Sequence, residues 1–140
     1  MKNLSISIER KDLKVHFEGI SESNPDSPIQ FDFGPPVGEG KGFSGLETLL
    51  MSFAGCVSTT IVFLLGRSGK HVSTYKANIE GIRCETPLSL KEIDMKIYIK
   101  SDDITVDDMN EVIKRAKVVS PVCQAIKNNV IVEINYELVK

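Results

Sequence analysis

A surplus of positive charge is the first thing missing from this 140-residue chain. Its 17 Lys and Arg are interspersed among 19 Asp and Glu, with a formal net charge of -2 and a pI near 5.7. That balance leaves no electrostatic footprint for nucleic acid or an anionic membrane, so neither partner is expected. Cysteine is scarce as well: three scattered residues cannot form the disulfide framework of a small secreted scaffold. The opening MKNLSISIERKD lacks the apolar core of a signal peptide, and the expected compartment is a reducing cytoplasm. The two histidines, His16 and His71, are far apart, and Cys84 has no Cys or His neighbour at ligand spacing, so no metal-binding motif is present. Phosphate loops, nucleophile elbows, Cys-His protease signatures and internal repeats are absent too.

What is present fits one globular domain over residues 1–140, with 41% hydrophobic and 26% charged residues and enough chain to bury an ordinary core. Its longest uncharged stretch, Thr48 to Gly66, reads TLLMSFAGCVSTTIVFLLG. Such a run has the length of a membrane span. Ser52, Gly55, Ser58, Thr59 and Thr60 at its middle, and strand-like globular sequence on both sides, favour a central helix covered by its neighbours.

The remaining pattern is α+β. Leu4, Ile6 and Ile8 alternate with polar residues, as do Leu13, Val15 and Phe17, predicting two strands joined by a turn at Glu9-Arg10-Lys11-Asp12. The Ser- and Pro-rich SESNPDSP predicts a loop, followed by a short strand around Ile29 to Phe33. GPPVGEGKG then predicts a mobile loop before the helix. Ser44 and Glu47 form a capping box at the helix start, and Gly66 to Gly69 end it. Strands are expected at Tyr75–Cys84 and Glu92–Lys100, turning at Pro87, with Ile93, Met95, Ile97 and Ile99 on one face. Thr105 and Asp108 cap a helix whose Met109, Val112, Ile113 and Ala116 share a core face. Ser120 and Pro121 open a further short helix, and Val130 to Val139 form a last strand. Helices and strands without a βαβ rhythm imply an antiparallel sheet packed on the long central helix.

Two cysteines stand at positions that bear on chemistry. Cys123 falls near the third position of the short helix, where free backbone N–H groups and the helix dipole favour a thiolate. Cys56 lies mid-helix without that help, and would need a cation or hydrogen-bond donor brought to it. Both residues are equally readable as core cysteines, since free Cys is among the most buried residue types.

The run Ser44 to Cys56, SGLETLLMSFAGC, resembles the helix signature P-x-E-L-L-L-A-A-x-A-G-C of the OsmC/Ohr family, the osmotically induced and organic hydroperoxide resistance proteins. Glu47, the triplet Ala54-Gly55-Cys56 and their nine-residue step match the OsmC-like branch. The resemblance implies an OsmC-like fold in an intertwined homodimer, with two long central helices packed together. It implies a cysteine-based peroxidase in which Cys56 attacks an organic hydroperoxide and becomes a sulfenic acid. A second cysteine, Cys123, then condenses with it, and a dithiol reductant such as a lipoyl-bearing protein reopens the disulfide. Glu47 and an arginine, best matched by Arg10, would hold the thiolate and orient the peroxide; no metal or flavin is required. The alternative is a non-catalytic, stress-associated OsmC-like protein binding a small apolar or thiol-reactive ligand in the dimer cleft.

Two departures from the family pattern bear on this expectation. The family's second cysteine heads C-P-x-S, whereas this chain reads Ser120-Pro121-Val122-Cys123, shifting the thiol about 5 Å along the helix axis. Arg10, in Glu9-Arg10-Lys11-Asp12, lacks a glycine-rich frame and reads equally as an exposed turn residue. Glu47 also carries a geometric condition. Nine residues along a helix is about 900° of rotation and about 13 Å, so Glu47 and Cys56 point to opposite sides of one straight helix. Glu47 serves Cys56 only from a second copy of the chain or across a bend near Gly55.

Overall fold

The computed structural model describes residues 1–140, which form two compact units, Met1–Thr48 and Leu49–Lys140. In the first unit, β1 (Ile6–Arg10), β2 (Phe17–Ser21) and β3 (Asn24–Phe31) make an antiparallel sheet in that order. Leu13 and Val15 belong to the first turn, not to the second strand as the alternation suggests. The cause is local hydrogen bonding. Asp12 Oδ1 accepts from the Lys14 and His16 amides, while the Arg10 guanidinium donates to the Leu13 and Lys14 carbonyls, folding these residues into a compact turn. The expected SESNPDSP loop likewise shrinks to a turn at Glu22 and Ser23, because β3 runs straight through Pro25 and Pro28. As the edge strand, β3 tolerates residues that cannot donate to a ladder.

Composition marks the loop after β3 as mobile, yet it is organised by a buried carboxylate. Asp32, 6% exposed, accepts backbone N–H bonds from Phe33, Glu39 and Lys41. The Lys41 amide is the main influence holding its carboxyl below the usual range. Gly38 passes so close that a β-carbon there would sit 2.1 Å from Asp32 Oδ1 and 2.3 Å from the Phe33 carbonyl. Only glycine fits.

The helix α1 (Gly45–Arg67) starts on the expected capping box, with Ser44 N–H donating to Glu47 Oε1 and Glu47 N–H donating to Ser44 Oγ. It is long and apolar enough to cross a membrane by length and composition. In the second unit it buries one stripe, Phe53, Val57, Ile61 and Leu65, at four-residue spacing. The mid-helix hydroxyls are satisfied locally: Thr59 and Thr60 donate to carbonyls four residues back, and Ser58 accepts from the Tyr75 hydroxyl at 2.8 Å.

β4 (Thr74–Glu85) and β5 (Leu88–Lys100) pair antiparallel, and β6 (Ile131–Val139) adds to β5 in parallel after α2 (Val106–Val119) and α3 (Pro121–Ile126). The expected faces are the buried ones: Ile93, Met95, Ile97 and Ile99 on β5, and Met109, Val112, Ile113 and Ala116 on α2. The last four positions repeat at helical spacing while the first four alternate, so each set lines one side of its element. Gly81 on β4 leaves room for Leu50 of α1, since a β-carbon there would lie 2.9 Å from Leu50 Cδ1. The fold is therefore α+β, with the long helix against a mixed sheet in place of the antiparallel one expected, because the connection through α2 and α3 returns the chain to run parallel to β5.

A cluster of polar groups around buried Ser101 gives a pH prediction. Ser101, fully buried, shares its single hydroxyl proton between the His71 carbonyl and Asp103 Oδ1, and Asp103 also accepts from the His71 amide and lies 2.8 Å from His71 Nδ1. These bonds, the His71 amide foremost, lower the Asp103 carboxyl from 3.8 to about 2. A folded-state value below the unfolded one contributes stability that is present above about 3.8 and is lost as pH falls toward about 2. Asp103→Asn is therefore expected to narrow the difference between urea midpoints measured at about pH 5 and about pH 2.5. An unchanged difference would show that Asp103 plays no part in acid sensitivity.

Candidate functional site: two thiols around a buried serine

Cys56 is half-buried on α1, Cys123 is 4% exposed on α3, and both are free thiols. Between them stands Ser120. It occupies the N-cap position of α3 but makes no side-chain cap bond, which departs from the capping role expected of it. Its hydroxyl donates instead to Cys56 Sγ at 3.1 Å, and the residue is fully buried. Pro121 at the first position of α3 has no N–H, so one of the helix's unpaired donors is absent.

The expectation that the helix start favours a Cys123 thiolate is overturned. Burial pushes the Cys123 thiol above its ordinary value, outweighing the Ser120 hydroxyl that acts in the other direction; nearby Cys56 adds to the rise, and Lys117 opposes it weakly. A six-residue helix presents little dipole, and a thiol shut away from water ionises reluctantly. A cavity of about 330 Å³ adjoins Cys123, lined also by Lys117, Lys127, Asn128 and Val132.

The other expected site residues are engaged locally. Glu47 is held by its capping box, and its carboxyl is lowered chiefly by the Ser44 amide and then by the Ser44 hydroxyl. α1 is unbroken from Gly45 to Arg67, so Glu47 stays at its first turn. Arg10 braces its own turn through Leu13 and Lys14. The structure thus brings Cys56, Ser120 and Cys123 together in the second unit. Ser120, read from the sequence as a helix cap, stands beside Cys56; its place at the head of S-P-V-C, where the resemblance puts a second cysteine, is the signal for that neighbourhood. No group of three His, Cys, Asp or Glu side chains converges as a metal site.

A helix-borne thiol, hydrogen-bonded by a buried side chain and neighboured by a second thiol on an α+β frame, defines a class of thiol-bearing domains. The family model described as OsmC-like protein matches residues 38–135, and the chain belongs to that family. Among solved structures, an OsmC-like protein from Mycoplasma pneumoniae superposes with a TM-score of 0.83 at 21% identity, covering 99% of both chains. An OsmC-like protein of unknown function from Vibrio cholerae gives 0.78 at 14% identity, covering 96% of this chain and 99% of that one. The organic hydroperoxide resistance protein OhrB of Bacillus subtilis gives 0.65 at 11% identity, covering 97% and 98%. At these identities the likeness shows the shared fold. No curated protein matches the sequence.

Proposed function

We propose that this protein is a cysteine-based peroxidase that reduces organic hydroperoxides. The observation that carries the reading is the Ser120 bond to Cys56 Sγ at 3.1 Å, which fixes the sulfur of the motif cysteine at the head of the helix that carries the second thiol. Cys56 Sγ attacks the terminal peroxide oxygen, the O–O bond breaks, and the products are a Cys56 sulfenic acid and an alcohol. Cys123 then forms a disulfide with Cys56, releasing water. A dithiol, such as a lipoyl-bearing protein, returns both thiols to the reduced state, and the cavity beside Cys123 offers it an approach.

The reading includes a homodimer in the cytoplasm. Met51 and Phe63 of α1 are 50% and 60% exposed, apolar surface of the kind a second copy covers. A second copy also meets the geometric condition on Glu47, bringing it to Cys56 from another helix. The local engagement of Glu47 and Arg10 and the deep burial of Cys123 favour the second reading, a non-catalytic protein binding a small thiol-reactive or apolar ligand.

Mass mapping separates the two. One equivalent of tert-butyl hydroperoxide is added to the reduced protein, remaining thiols are alkylated, and peptides are mapped. The expected result is loss of two hydrogens at a Cys56–Cys123 bond. Oxidation stopping on Cys56 would assign the second step to an external thiol; two unreacted thiols would overturn the peroxidase.

A further inference from the structure

We propose that the cavity beside Cys123 is a binding site for a small thiol that carries a carboxylate, and that such a thiol reopens the Cys56–Cys123 disulfide from there by attacking Cys123. The redox role rests on the peroxidase reading, whose reductant it assigns to a chemical class.

The cavity brings a thiol and two cations together. Cys123 lines it with Lys117 and Lys127, whereas Cys56 does not, so a molecule seated there meets the sulfur of Cys123. Its volume of about 330 Å³ is at the small end of ligand pockets, which span about 300–1,000 Å³. Val132 gives it an apolar wall for a short carbon chain, and Asn128 and Asn129 add polar groups.

The charge around this space has one sign. The ion pairs of the chain engage Lys2, Lys11, Lys14, Lys70 and His71, and neither cavity lysine is among them. An ammonium has three hydrogens to donate. Lys117 places one on the Val132 carbonyl at 3.4 Å and Lys127 one on Gln124 Oε1 at 2.9 Å, so both keep donors for a ligand. No Asp or Glu lines the cavity, and Glu133, next along β6, lines a separate one with Glu80 and Asp94. Two cations without a carboxylate partner, in a chain of net charge -2, favour an anion at this place.

The thiol between them selects the kind of anion. A carboxylate held by the lysines leaves the ligand's own sulfur to approach Cys123 Sγ. The incoming thiolate forms an S–S bond to Cys123 as the Cys56–Cys123 bond breaks, and Cys56 departs, taking up the proton that the incoming thiol released. A second thiol, carried on the same molecule in a dithiol, attacks the ligand's sulfur in this mixed disulfide and releases Cys123. The two ligand thiols give up two electrons and two protons, and the protein disulfide gains both.

The site is tested by thiol–disulfide exchange on reduced Cys56→Ser, which leaves Cys123 and the half-buried Cys84 as the thiols. Three probes that differ in charge are used: 3,3′-dithiodipropionate, bis(2-hydroxyethyl) disulfide and cystamine. Adducts are mapped by mass over time, and each rate at Cys123 is divided by that at Cys84 in the same sample. The anionic probe is expected to exceed the neutral one by about 10-fold, on the scale of two partly screened ion pairs, and the cationic probe to be slowest. The preference should vanish in Lys117→Gln/Lys127→Gln. It should also fade in about 1 M salt, where charges are screened within about 3 Å, a measurement that serves if the double variant folds poorly. Equal ratios for the three probes, or a preference that survives both loss of the lysines and high salt, would overturn the site. Wild-type protein oxidised with tert-butyl hydroperoxide is then expected to be reopened faster by 3-mercaptopropionate than by 2-mercaptoethanol, with the advantage lost in the double variant. If the reopening shows no such advantage, the reductant role falls while the peroxidase stands; if no disulfide forms at all, the peroxidase falls, and the site itself is decided by the exchange rates.

Discussion

Cys56→Ser is expected to reduce hydroperoxide consumption by on the order of 1,000-fold or more, the scale on which removal of a nucleophile acts in enzymes that depend on one. The replacement is nearly isosteric, and the Ser120 hydroxyl can donate to the new oxygen as it does to Cys56 Sγ. Thermal stability should therefore hold while chemistry disappears, because an alcohol is neither the nucleophile nor the reductant that a thiolate is. Peroxide loss followed over time with a dithiol present checks the result, and Cys123→Ser supplies the contrast. That variant keeps the first oxidation but should stop at the sulfenic acid until an external thiol arrives. Consumption by Cys56→Ser at the wild-type rate would remove Cys56 from the chemistry and leave the binding reading, in which the thiol only lines a pocket.

The parts of the fold legible in the sequence are those set by short-range rules. The capping boxes at Ser44/Glu47 and Thr105/Asp108 are completed within one turn, and both form as the residue spacing demands. The alternation of Ile93, Met95, Ile97 and Ile99 survives because every second residue of β5 faces a core. Leu13 and Val15 failed the same test because Asp12 and Arg10 gather the backbone around them, and period-two alternation cannot register side-chain bonds to the backbone. Prolines in SESNPDSP suggested a loop because edge position, which makes them harmless, belongs to the sheet and not to the segment.

The site was legible to the same extent. Cys56 carries a sequence motif, and its sulfur accepts from Ser120 at the head of the helix that holds Cys123. The ionisation of Cys123 was misread because a helix position is local information, whereas burial depends on everything packed around it. Ser120 shows the opposite case, a residue with an ordinary local explanation as a cap and a different tertiary partner 64 positions away. Local rules assign a hydroxyl to the nearest backbone amide; here a sulfur from another helix takes it.

Phe53→Ala is expected to cost about 3–5 kcal/mol of stability, the range for deleting a buried aromatic side chain. Phe53 is fully buried, and α1 is held in the second unit by a narrow stripe of which it is the largest member, with Val57, Ile61 and Leu65. It also lies three residues before Cys56, so a cavity there loosens the turn that carries the thiol, and the 3.1 Å bond to Ser120 has little tolerance for displacement. Urea titration gives the stability change, and a midpoint close to wild type would show that the stripe does not anchor the helix. Phe63→Ala is the informative companion because Phe63 is 60% exposed. In an isolated chain that substitution should stay within about 0.5 kcal/mol. If a second copy covers α1, the loss should instead grow and depend on protein concentration, since association stabilises by mass action. An apolar helix with only one side anchored in its own chain would then owe part of its stability to association with a second copy.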